Sequence, residues 1–148
     1  MTIFELQHQL AMARSALEGY WAAWAIERKL PDAATGATMC RFTSAFLVLI
    51  LGNEWWVTGG EPYGAGERAG FFDGSNWHAH YWITDGELIV DLTANQFGAP
   101  SIVVTTAEDL RYSENCSDGE LSESLLHVQD RANEWAILFK DQHGSFTD

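Results

Sequence analysis

Three side chains far apart in the sequence, Cys40, His80 and Asp91, supply the parts of a nucleophilic site. A thiol can form a covalent bond, an imidazole can carry its proton, and a carboxylate can orient the imidazole. His80 and Asp91 are joined by a predicted hairpin. Asp85-Gly86 separates two alternating apolar segments, residues 77–84 and 87–92, and Asp-Gly in that setting signals a two-residue turn. Thr84 then faces Glu87, and the pairing runs outward through Ile83–Leu88, Trp82–Ile89 and Tyr81–Val90 to His80–Asp91. Opposed residues project to one side with Cβ atoms about 4.5–5.5 Å apart, so imidazole and carboxylate are expected to touch. One ring nitrogen is then tied to the carboxylate and the other is free to take a proton. His78 falls on the same face opposite Thr93 and is the weaker base, because a hydroxyl faces it. The competing reading makes His80 and Asp91 a purely structural pair.

Cys40 opens a predicted helix, residues 39–51, that is apolar nearly all round after Ser44 and ends at Gly52. With Thr38 as its cap, Cys40 lies in the first turn, where unpaired N–H groups and the helix dipole favour an anion. The competing reading is a small buried hydrophobe, the commoner role of an isolated cysteine. Cys116 sits in a polar loop between Glu114 and Asp118 with no basic neighbour, and reads as a bystander. Two cysteines allow at most one disulfide, Cys40–Cys116. His78-Ala79-His80 is also a possible metal pair with Asp85, Glu87 or Asp91 as a third ligand. Against it, Asp85 is needed in the turn, and long terminal helices do not suit a metal-binding β-barrel. His8, His127 and His143 fall in helices or the tail.

These groups are positioned by helices at both ends of the chain and a small sheet between them. Residues 2–30 read as an amphipathic helix with Leu6, Leu10, Ala13, Leu17, Tyr20 and Trp24 on one stripe, a Thr2–Glu5 capping box and a stop at Pro31. Residues 55–58 read as a short strand. Residues 58–76 contain six glycines, at 59, 60, 64, 66, 70 and 74, and read as a long mobile loop. Its Gly64-Ala65-Gly66 and Gly70 miss the spacing of a phosphate loop. Residues 101–105 form a strand, Thr105 and Glu108 cap a short helix to about Tyr112, and residues 113–119 are a polar loop. The last helix covers residues 120–140 with Leu121, Leu125, Val128, Ala132, Trp135 and Phe139 on its apolar stripe. The pattern is that of an α+β fold, a central buried helix packed on a small antiparallel sheet and flanked by terminal helices.

Composition narrows the function. The 148 residues are 47% hydrophobic with seven tryptophans, too apolar for a disordered chain and enough for one core. Eight basic against 21 acidic side chains give a net charge of −13, which repels phosphate backbones and anionic lipid. Neither nucleic acid nor a membrane is expected as partner. The longest uncharged apolar run, residues 42–52, falls short of a membrane span, and Glu5, Gln7 and Gln9 interrupt any signal-peptide core. The expected location is cytoplasmic, or outside by a route without a signal peptide.

Taken in order, these residues resemble the transglutaminase-like and papain-like cysteine enzymes. Gly36-Ala37-Thr38-Met39-Cys40, Ser44-Ala45-Phe46, Gly52 and Val57-Thr58-Gly59-Gly60 are similar to the nucleophile region of that superfamily. His80-Tyr81-Trp82 and Asp91-Leu92-Thr93 resemble its His-x-Trp and Asp-Pro-Thr elements, with Leu92 in place of Pro. The likeness covers roughly residues 36–97 and is carried by the order of the set, not by any one element.

The resemblance implies a single papain-like/transglutaminase-like domain over residues 1–148. It also implies acyl-transfer chemistry through a thioester, with Cys40 as nucleophile, His80 as base then acid and Asp91 as orienter. As in small bacterial-type members, it implies action without calcium or another cofactor. The substrate class is a peptide, protein or small amide, cleaved by a peptidase or amidase or deamidated at glutamine. A non-catalytic binding module of the same fold is the alternative. Papain-type enzymes carry an oxyanion-hole Gln shortly before the Cys, and residues 31–39 contain none. The Cys40 N–H then needs a second donor, for which Asn76 and Gln96 are the candidates. Trp55, Trp77 and His78 are the candidates for the cleft wall, while Trp82 reads as core.

Overall fold

The computed structural model describes residues 2–144. Its first helix, α1 (Ile3–Arg28), begins at the expected box. The Thr2 hydroxyl accepts from the Glu5 N–H, and the Glu5 carboxylate accepts from the Thr2 N–H. The buried stripe is Leu6, Leu10, Ala13, Leu17, Trp21 and Ala25. It therefore leaves the expected line after Leu17. Tyr20 and Trp24 sit half-buried at its margin, stacked on Trp135 and packed on Phe42 respectively. Trp21 can occupy the centre because its indole N–H donates to the Thr43 hydroxyl at 3.1 Å.

After a 3₁₀ turn (Pro31–Thr35), α2 (Cys40–Leu51) runs through the core against a C-terminal helix, α4 (Gln129–His143), and the sheet. Phe46, Leu47 and Ile50 are fully enclosed. Thr38 is not its cap. Thr38 has left-handed backbone, with φ of 66°, and Met39 occupies the cap position without a side-chain bond to the helix. Thr38 is thus spent on the turn that delivers Cys40 to the first helical position.

The strands are β1 (Trp56–Gly60), β2 (Gly70–Phe72), β3 (Trp77–His78), β4 (His80–Thr84), β5 (Leu88–Asp91), β6 (Val103–Thr106) and β7 (Tyr112–Ser113). They form two antiparallel sheets, β1-β4-β5-β6 and β3-β2-β7. With four helices among the described residues, α3 being Asp118–Leu126, the fold is α+β. Alternation along the larger sheet assigns its faces. Ile83 and Val90 join the helical core, while Trp82 and Ile89 meet Phe71 and Tyr112 of the smaller sheet.

Five further expectations are corrected. Residues 77–84 are not one strand, because the chain changes sheets at Ala79: His78 pairs with Phe71, whereas His80 pairs with Gly60. His78 is therefore not opposite Thr93.

The hairpin register is shifted by two residues, with Ile83 opposite Val90 and Thr84 opposite Ile89. Asp85 does not occupy the turn centre. Its carboxylate accepts the N–H groups of Glu87 and Leu88, which moves the turn one residue on.

Residues 58–76 are not a single mobile loop. Gly59 and Gly60 end β1, and Ala69, just before β2, and Gly70 and Phe71 within it are buried. Gly70 has φ of +90°, and a Cβ there would overlap the His78 carbonyl oxygen. The glycines let the two sheets approach at backbone distance.

No helix follows Thr105. The Asp109 carboxylate takes the Thr105 hydroxyl and the Arg111 backbone and guanidinium instead, closing a turn that leads into β7.

Finally, the C-terminal helix is two helices. α3 starts earlier than expected, at a capping box of Ser117 and Glu120, and the break at His127–Val128 lets it lie on α2 and β1 while α4 lies on α1 and α2. Val128, Ala132, Trp135 and Phe139 are buried as their spacing requires. Among the described residues no helix is long and apolar enough to cross a membrane.

Candidate active site

Cys40 stands half-buried at the first position of α2, His80 starts β4 and Asp91 ends β5. The sheet and the helix bring the three together. His80 Nε2 and Asp91 Oδ2 are 2.7 Å apart, with both side chains enclosed. The other ring nitrogen, Nδ1, is buried and makes no hydrogen bond. The imidazole lies within electrostatic reach of the Cys40 sulfur. A buried nitrogen without a partner, on a ring near a thiol, is what a proton-transfer pair requires.

Burial disfavours the His80 cation, but the Asp91 carboxylate and the Cys40 sulfur outweigh it and raise the imidazole to about 10. The Asp91 carboxyl is pushed up by its complete burial and pulled down further by His80, the Thr93 N–H and Tyr112, so its net movement is below the ordinary carboxylate value. Both movements favour the charged pair, and the carboxylate's lone pairs are satisfied from several sides.

Those supports were missed in the sequence. The Tyr112 hydroxyl, from the other sheet, donates to Asp91 Oδ2 at 2.9 Å. The Thr93 N–H donates to Asp91 Oδ1 at 2.9 Å, an Asp-turn geometry that the Asp91-Leu92-Thr93 spacing could have suggested. Arg14 of α1 donates to the Leu92 carbonyl, to Asn95 and to the Ser101 carbonyl, fixing the segment that leaves Asp91. Phe97 and Phe71 close the His80 ring edge-on at 5.2 and 5.9 Å. No local sequence signal marks Tyr112, Arg14 or Phe97.

The other candidates scatter. Gln96 reaches the nucleophile's approach: its Oε1 accepts from the Thr38 N–H at 3.4 Å, and its Nε2 donates to the Thr93 carbonyl at 3.0 Å, leaving one amide proton unused. Asn76 instead closes the exposed turn at residues 73–76, where Asp73 Oδ1 accepts its N–H. Trp77 packs on Phe72 in the smaller sheet. His78 bonds Asp73 at 2.8 Å and stacks on Phe97. The two histidines of the His-x-His pair thus serve different carboxylates in different sheets, and among the described residues no three His, Cys, Asp or Glu side chains converge as a metal site. Trp55 lines a groove between α2, α3 and β1.

Cys116 is a free thiol, as is Cys40. Burial, with the carboxylates of Glu120, Glu61 and Glu114, pushes its thiol up, against a lowering contact with the Tyr81 hydroxyl. Comparison with protein-family models, with curated proteins and with solved structures gives no match.

Proposed function

We propose that the chain is a cysteine hydrolase of papain-like or transglutaminase-like architecture that cleaves an amide through a thioester on Cys40. The observation that carries this reading is the buried, unpartnered Nδ1 of His80, whose Nε2 is held by buried Asp91 and whose ring lies within electrostatic reach of the Cys40 sulfur. The Cys40 sulfur, having given its proton to Nδ1, attacks the carbonyl carbon, and the carbonyl π pair moves to oxygen. The first-turn N–H of Cys40 and the unused Gln96 amide proton are the donors assigned to that oxyanion. When the C–N bond breaks, the Nδ1 proton goes to the leaving nitrogen. Water then attacks the thioester, giving its proton to Nδ1, and the acid departs as sulfur is released. Asp91 keeps the ring oriented throughout, and Tyr112 and Thr93 hold Asp91.

The test is direct trapping. Incubated with a glutamine-containing peptide or a simple peptide amide, the protein gains the acyl mass on the peptide bearing Cys40 and releases ammonia or amine. Cys40→Ala does neither. Equal release by the native protein and Cys40→Ala, with no adduct, overturns the reading.

A further inference from the structure

The helices α2 and α3 and strand β1 enclose a groove of about 540 Å³. Its floor is apolar: Leu49, Trp55, Val57 and Leu121 contribute to it. Its charged walls are Glu114 and Asp118, and no basic side chain lines it. Glu114 is held in place by the Thr58 hydroxyl, which donates to Oε2 at 2.7 Å. Ser124 of α3, between the lining residues Ser122 and Leu125, joins the groove to the Cys40 end of α2: its carbonyl accepts from Arg41, the residue after Cys40, and its hydroxyl accepts from the Tyr81 hydroxyl at 3.0 Å.

We infer that this groove receives the part of the substrate adjoining the scissile amide, and that this part is a peptide segment pairing an apolar side chain with a basic one. This rests on the Cys40 reading given above and adds the substrate class to it. An apolar side chain removes indole and leucine surface from water. A lysine or arginine head meets two carboxylates without an opposing cation, in a protein whose net charge of −13 already draws basic peptides. An acidic residue in the same place meets like charge.

Two affinity labels test this: acetyl-Leu-Lys-chloromethyl ketone and its Leu-Glu counterpart. In each the sulfur displaces chloride and forms a C–S bond, so mass spectrometry reads the rate at Cys40. The expected ratio of rates, Lys over Glu, is about tenfold at low salt, from one attraction replaced by one repulsion at a partly exposed site. The ratio cancels the intrinsic reactivity of the thiol. It falls toward one in the double variant Glu114→Gln, Asp118→Asn and in high salt. Equal rates in the native protein overturn the inference, as does a Lys preference that survives the double variant. If neither label modifies Cys40, the nucleophile reading has failed, and the groove is then tested alone. Tryptophan fluorescence of Cys40→Ala is titrated with acetyl-Leu-Lys-amide and acetyl-Leu-Glu-amide. Tighter binding of the lysine peptide supports the inference and equal binding overturns it.

Discussion

The imidazole of His80 and the carboxylate of Asp91 meet at 2.7 Å although the two residues are not opposed in the sheet. The observed pairing, continued outward, sets Asp91 across from Trp82, so His80 and Asp91 are diagonal neighbours on one face. Diagonal Cβ atoms lie about 7–8 Å apart or slightly less, a gap that an imidazole and a carboxylate span. A diagonal pair has more freedom than an opposed one, and Tyr112 removes that freedom by donating to the same oxygen, Oδ2.

Tyr112→Phe therefore keeps the packing and deletes one buried donor. We expect a loss of about 1–3 kcal/mol of stability by chemical denaturation, the usual cost of leaving a buried charged acceptor short of a partner. We also expect slower Cys40 acylation at unchanged substrate affinity. An unaltered acylation rate in a folded variant would show that Tyr112 only supports the sheet contact.

The ion pair predicts the pH dependence of stability. His80 is raised from 6.5 to about 10, so its contribution is complete below 6.5 and disappears as pH climbs through 10. Asp91 is lowered from 3.8, so its contribution is present above that value and is lost as pH falls through the depressed one. Thermal melts should thus be flat from about pH 5 to 6.5 and decline between about 6.5 and 10, beyond the decline in Asp91→Asn. Parallel native and Asp91→Asn curves across that window would mean that the pair does not carry the proton assigned to it.

The glycine-rich stretch makes an independent structural prediction. Gly70→Ala puts a Cβ into the His78 carbonyl at a left-handed backbone position and should cost roughly 2–4 kcal/mol. Gly64→Ala, with open space around it, should change stability by less than about 0.5 kcal/mol. Urea midpoints of the two variants check the contrast, and similar midpoints contradict the close approach of the sheets.

These particulars explain what the sequence could convey. The terminal stripes were legible because helical burial repeats every 3.6 residues, yet that period could not choose between Tyr20 and Trp21, which the Thr43 hydroxyl decides. The hairpin was legible in its existence and not in its register, because Asp85 used its carboxylate on two N–H groups and displaced the turn. The slip was two residues, an even number, so His80 and Asp91 stayed on one face; a slip of one would have separated them. Gly59, Gly60 and Gly70 carry the same composition in a loop as in two crossing sheets, and only the tertiary approach distinguishes them. Tyr112 and Arg14 reach Asp91 and its following segment from strands and helices that no local pattern associates with it.

The central claim is that His80 activates Cys40, and the second thiol of the same molecule provides the reference. Iodoacetamide labelling at pH 6.5, resolved by peptide mapping, compares the rates at Cys40 and Cys116. We predict that Cys40 reacts at least about tenfold faster than Cys116 and that the advantage disappears in folded His80→Ala. Equal rates at the two cysteines, or an advantage untouched by the loss of the imidazole, would contradict the account.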